Sequence, residues 1–100
     1  MRIIDIKDPS HSDMTFFKSV YEDAFPEAER CPWERMTGFL TQPEHPFRLQ
    51  GIYLDDGTAI GFNSYSDFGR YIYAVYLAVA RPYRGRGYGG QTLRAFHEQH

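Results

Sequence analysis

Between Val79 and Leu93 the chain reads V-A-R-P-Y-R-G-R-G-Y-G-G-Q-T-L, which places Gly85, Gly87, Gly89 and Gly90 among Arg84, Arg86 and Tyr88. Residues of these types at this spacing can hold an anion. Glycines let the main chain take positive φ and come close to a ligand. If a helix starts here, its first N–H groups have no intrahelical acceptor and carry a partial positive charge. A phosphate group is the natural guest.

The turn needs a strand before it and a helix after it. Tyr71 to Ala80 is β-prone and uncharged, and Thr92, Leu93 and Phe96 begin a helical pattern. Further upstream, Arg2 to Lys7 alternates as a first strand, with Ile4 and Ile6 on one side, and Asp8-Pro9 ends it. Ser10 with Asp13 forms an S-x-x-D capping pattern, and Phe17, Val20, Tyr21 and Ala24 continue at helical spacing, predicting a helix from about Asp13 to Phe25 that Pro26 stops. Glu27 to Gln42 reads as a second helical segment, interrupted near Cys31-Pro32, with Trp33, Met36, Phe39 and Leu40 on one face. Glu34 lies in this segment, either as a substrate-facing carboxylate or as a solvated helix residue. Trp33 and Phe39 line an acceptor pocket or pack in the core.

Phe47 to Leu54 and Thr58 to Tyr65 then read as strands joined by the Asp55-Asp56-Gly57 turn, and Ser66 to Arg70 turns the chain into the run at Tyr71. The expected order is β-α-α-β-β-β-α within one domain, residues 1–100. Hydrophobic residues at 42%, with 17% aromatic, suffice for a packed core at this length.

Charge divides the chain. Asp5, Asp8, Asp13, Glu22, Asp23, Glu27 and Glu29 crowd its start, whereas Arg81, Arg84, Arg86 and Arg94 gather near its end, within a net charge of −2. This polarity suits either an anionic ligand or two solvated surfaces, and is too small for wholesale nucleic-acid or membrane binding. Cys31 is the sole cysteine, so there is no disulfide framework and no zinc set. With no run near the roughly 18 apolar residues of a membrane span, a cytoplasmic location is expected.

Three chemistries compete for the glycine turn. Gly85, Gly87 and Gly90 satisfy G-x-G-x-x-G literally, but a dinucleotide site needs a parallel βαβ unit and an acid about twenty positions on, and a hairpin meander precedes this turn. No G-K-[ST] is present to make a P-loop. An RNA-binding reading, with Tyr83 and Tyr88 stacking beside the arginines, conflicts with a segment held between strand and helix.

Arg84-Gly85-Arg86-Gly87-Tyr88-Gly89 matches R-x-x-G-x-G, and here the chain resembles the GNAT acyltransferase superfamily. Leu77-Ala78-Val79 with Pro82 to Gly85 resembles that family's fourth strand and the entry to its pyrophosphate loop, and Leu93 falls where the next helix packs on the sheet. Ala24-Phe25-Pro26-Glu27 with Glu29-Arg30 resembles its first helix junction. The resemblance implies an α+β, three-layer fold with a mixed, mostly antiparallel sheet, interrupted here before a fifth strand. It implies acetyl-CoA as acyl donor, held by Leu77, Ala78, Val79, Arg84, Gly85, Arg86, Gly87, Tyr88 and Gly89, with Arg84 and Arg86 either assisting electrostatically or facing solvent.

The implied reaction is direct acetyl transfer to a primary amine of a small molecule or peptide. Relatives place a carboxylate on the fourth strand and a tyrosine beyond the fifth. Here the strand has no carboxylate, which leaves Glu34, Asp67 or a water relay as base, and Tyr76 or Tyr83 as stand-in for the acid. The alternative is a non-catalytic CoA-binding or dimerising domain. The uncharged run 71–80 would template association as a bare sheet edge, so a longer chain or a second copy is expected to cover it.

Overall fold

The computed structural model describes residues 1–100. Its elements are β1 (Arg2–Ile6), α1 (Met14–Ala24), α2 (Trp33–Gly38), β2 (Phe47–Tyr53), β3 (Ala59–Asp67), β4 (Ile72–Val79) and α3 (Tyr88–Gln99). The strands form one sheet in the order β1-β2-β3-β4, and every pairing is antiparallel. Over these four strands the expected mixed sheet therefore contains no parallel pair.

Successive strand residues face opposite sides, so Phe62 and Asn63 mark the two faces of β3. Phe62 is fully buried against Phe17, Tyr21 and Trp33, with ring centroids 6.5, 6.1 and 5.5 Å away. This face carries α1 and α2. On the other face Asn63 Nδ2 donates to Gln50 Oε1 at 3.2 Å, and Gln50 Nε2 donates to Asp5 Oδ1 and Gln99 Oε1, both at 3.1 Å. Asp5, Gln50 and Asn63 are direct partners in the ladder, so this polar row, buried at Gln50 and Asn63, pins the register of three strands and ties down the end of α3.

Helix α1 buries Phe17, Val20 and Tyr21 of the expected stripe together with Met14, while Ala24 is half-buried. It ends because Phe25, the residue before Pro26, is extended (φ −124°, ψ 133°). The expected Ser10–Asp13 capping box does not form. Ser10 bonds instead to Asp8, through its N–H at 2.8 Å and its hydroxyl at 2.7 Å, while the Asp13 carboxylate accepts the Tyr53 O–H at 2.8 Å. The partly buried phenol needs that acceptor more than the solvated helix end does.

The second helical segment is shorter than the Glu27 to Gln42 pattern suggests. Pro26 and Pro32 leave room between them only for a 3₁₀ turn at Glu27–Glu29, and α2 passes into another at Phe39–Thr41. In α3 the packing residues are Thr92 and Phe96, one helical turn apart. Phe96 lies edge-on to Tyr65 at 4.9 Å, and Leu93, expected on the sheet, is 46% exposed.

Candidate functional site

The end of β4 and the start of α3 build the site. The Ala80 N–H donates to Ile60 O at 2.7 Å, so the Ala80 amide faces β3 and the Val79 and Leu77 amides face the free edge by alternation. The Val79 carbonyl is reached from that side by Arg84 Nε at 2.7 Å. A 3₁₀ turn at Arg81–Tyr83 then swings the chain across, and Gly87 opens α3.

Gly85 and Gly87 have φ of +76° and +84°, a region that residues with a Cβ enter only with strain. Between them they rotate the peptide planes so that the loop bonds to nothing in the protein. The Arg84 N–H reaches Arg81 O, and the next main-chain bond is from Gln91 N–H to Gly87 O. The six N–H groups of residues 85–90 have no acceptor. A Cβ built at Gly85, Gly87 or Gly89 would meet no atom within 4 Å, so the space before the loop is open. Such a row of amides at a helix N-terminus is an anion cradle, and it fits a pyrophosphate.

Of the nine residues expected to hold the cofactor, all except Arg86 line, together with Tyr83, one cleft of about 300 Å³. A neighbouring cleft of about 290 Å³ shares Leu77, Ala78, Val79 and Arg84 and extends to Asp23, Ala24 and Phe25 at the end of α1. The two arginines differ in state. Arg84 is held by Val79 O and Asp23, whereas Arg86 is exposed and has no hydrogen-bond or ion-pair partner. The charge division in the sequence is thus partly closed in space, through Asp23 with Arg81 and Arg84.

The proton-transfer candidates lie elsewhere. Glu34 sits outside both clefts, 72% exposed, and accepts from Lys18 Nζ at 2.6 Å. That hydrogen bond holds its carboxyl below the usual glutamate range. Tyr76 packs against Phe25 and Tyr21, with centroids at 4.8 and 4.9 Å, and donates its hydroxyl proton to Glu29 O at 2.8 Å. In this arrangement it anchors the loop between α1 and α2. Asp67 accepts the Gly69 N–H at 2.9 Å and closes the β3–β4 turn. Trp33 is buried in the core, and Phe39 stacks on His45.

Sequence reasoning missed Ser64 and Asp23. Ser64 sits where β4 carries an extra residue: Ser64 faces Tyr76 and Tyr65 faces Ala74, which leaves Val75 unpaired as a β-bulge. The alternation of Tyr73, Val75, Leu77 and Val79 along β4 is broken there, and no motif in the sequence announces it. Asp23 showed one signal, an acid on the α1 face beside the apolar stripe, but its partners lie 58 and 61 residues away. No helix is long and apolar enough to cross a membrane.

Comparison with known proteins gives the same family as the loop. No curated protein sequence is significantly similar to the chain. Among solved structures, one described as a GNAT-family acetyltransferase, from Bacteroides thetaiotaomicron, superposes with a TM-score of 0.83 at 26% identity, over 98% of this chain and 55% of that one. The chain therefore spans about half the length of that relative. The family described as Acetyltransferase (GNAT) family matches residues 9–99, and with nine-tenths of its length matched the chain belongs to the GNAT acetyltransferase family.

Proposed function

We propose that the chain binds acetyl-CoA and forms the donor side of an N-acetyltransferase that passes the acetyl group directly to a primary amine of a small molecule or peptide. The observation that carries this reading is the run of unpartnered N–H groups at residues 85–90 beside the free edge of β4. The thioester supplies an activated acyl group. The amides of residues 85–90 bind the pyrophosphate, Arg86 adds a cation, and the outward amides of Leu77 and Val79 pair with the pantetheine arm as they would with an added strand. Nucleic acid and membrane have no part in this reading, and a cytoplasmic setting agrees with the free Cys31.

The attacking amine must be neutral, and reference pKa values of about 8 for an α-amino group and about 10.4 for lysine mean that a proton has to leave. Glu34 and Tyr76 are both engaged with other groups, so that proton passes through water in the open cleft, the C–S bond breaks as the C–N bond forms, and the departing thiolate takes a proton from the same water. The same engagement favours a second reading, a domain that binds CoA without catalysis. Calorimetry with acetyl-CoA tests what the readings share: binding that Gly87→Glu abolishes is expected, and no binding at millimolar ligand overturns both. Thiol release in the presence of a panel of amines then separates them.

A further inference from the structure

Asp23 stands in the last turn of α1, and its carboxylate gathers the two arginines that flank the entry to the glycine loop. Arg81 Nε donates to both carboxylate oxygens at 3.0 and 2.8 Å, and Arg84 Nη2 donates to Oδ2 at 3.3 Å, while Arg84 Nε donates to Val79 O at 2.7 Å. We propose that Asp23 is a positioning residue for the pyrophosphate loop: it clasps Arg81 and Arg84 to α1 and so holds the 85–90 amides in their binding arrangement. This rests on the coenzyme A reading of that loop.

The loop cannot hold itself. It contains two left-handed glycines, the residues that lose most conformational entropy on being fixed, and no main-chain hydrogen bond closes it between Arg84 and Gln91. Its entry is fixed from outside, where one guanidinium joins the last carbonyl of β4 to a carboxylate of α1. A planar, forked cation with several donors can make that join, and a lysine could not make both bonds with the same geometry. Hydrogen bonding from Arg81 in the first place, with the charges of both arginines, holds the Asp23 carboxyl below its usual range and keeps it ionised at neutral pH.

Two consequences follow. Arg84 is turned toward α1, so the free cation left for a phosphate is Arg86. Arg84 also takes up one lone pair of the Val79 carbonyl, so the β4 edge at that point favours a ligand that brings an acceptor to the Val79 N–H. As an exposed ion pair the clasp adds little to global stability. Its contribution is preorganisation, which removes an ordering cost from binding.

The test uses the 100-residue chain with Asp23→Asn and Asp23→Glu. Two readouts are taken: backbone ¹⁵N order parameters of residues 85–90 without ligand, and calorimetric affinity for coenzyme A and for pantetheine, which lacks the phosphates. Asp23→Asn is expected to lower the order parameters of the loop while those of β2 and β3 stay at rigid-backbone values. It should weaken coenzyme A on the order of tenfold and leave pantetheine nearly unchanged, and Asp23→Glu should recover much of the loss. Unchanged loop order parameters overturn the clasp, whatever the ligand result. Equal losses for coenzyme A and pantetheine also overturn it, because the carboxylate would then act on the whole cleft. Failure of the unsubstituted chain to bind coenzyme A overturns the coenzyme reading, and the order parameters still decide the clasp.

Discussion

The Ser64 hydroxyl bonds to both main-chain polar groups of Tyr76, its partner across the β3–β4 ladder. The Tyr76 N–H donates to Ser64 Oγ at 3.1 Å, and the Ser64 O–H donates to the Tyr76 carbonyl at 3.3 Å, in the rung where Val75 bulges out of β4. Ser64 is fully buried, so its hydroxyl has no solvent to turn to and takes both of its partners from Tyr76. The bulge bends the edge strand immediately before Leu77, and this hydroxyl holds the bend.

Ser64→Ala is therefore expected to destabilise the chain by about 0.5–1.5 kcal/mol, the net contribution of a lost hydrogen-bonded hydroxyl. A urea midpoint that falls with unchanged slope reports this. An unchanged midpoint would mean that the bulge does not need the hydroxyl.

The loop glycines separate folding from binding. Gly87→Ala forces a Cβ into the left-handed region and is expected to cost roughly 1–2 kcal/mol of stability. At Gly89 φ is not positive and space is open, so Gly89→Ala is expected to be neutral in thermal unfolding, or stabilising by up to ~1 kcal/mol through helix propensity. It should still weaken acetyl-CoA binding, because the methyl enters the cleft. Wild-type affinity in Gly89→Ala would place the ligand elsewhere.

Arg86 has no partner to lose. Its replacement by alanine should leave the unfolding midpoint within about 0.5 kcal/mol of the parent and weaken coenzyme A by about three- to tenfold. The salt dependence of binding should shrink with it, and a salt dependence equal to the parent's would remove Arg86 from the site.

Three of the eight tyrosines are raised above the ordinary phenol range: Tyr21 and Tyr65 chiefly by burial, and Tyr53 by burial and then by its bond to Asp13. A phenol that ionises less readily in the folded chain binds its proton more tightly there than when unfolded. Stability is then complete below the unfolded value of about 10 and falls as pH rises above it. Ultraviolet titration should show these three ionising only together with loss of the fold, and early reversible ionisation of all eight would contradict their burial.

Tyr71 and Tyr73 are 61% and 64% exposed on the β4 edge, beside the half-exposed Phe68. An uncharged aromatic edge is a template for another strand, and we expect the isolated chain to self-associate through it. Tyr73→Lys should shift sedimentation toward the monomer. A parent chain already monomeric at working concentration refutes the pairing.

Local chemistry and periodicity determined much of this protein. The stripe from Phe17 to Ala24, the stops at Pro26 and Pro32, the Asp56-Gly57 hairpin and the spacing of Gly85, Gly87 and Gly89 each act within a few residues, so their consequences were legible in the chain. The helix–strand order and the loop's capacity for an anion followed from them. Contacts between distant residues were decided only in three dimensions. Asp13 looked like a helix cap and became the acceptor for Tyr53; Leu93 looked like core and yielded to Thr92 and Phe96. Glu34 and Tyr76 had the right types for catalysis, but Lys18 and the Glu29 carbonyl engage them. The Val75 bulge and the Asp23 clasp depend on partners 12 to 61 residues away, which residue type and spacing do not encode locally, because hydrogen-bond competition in a packed interior is settled by whichever groups the fold brings within reach.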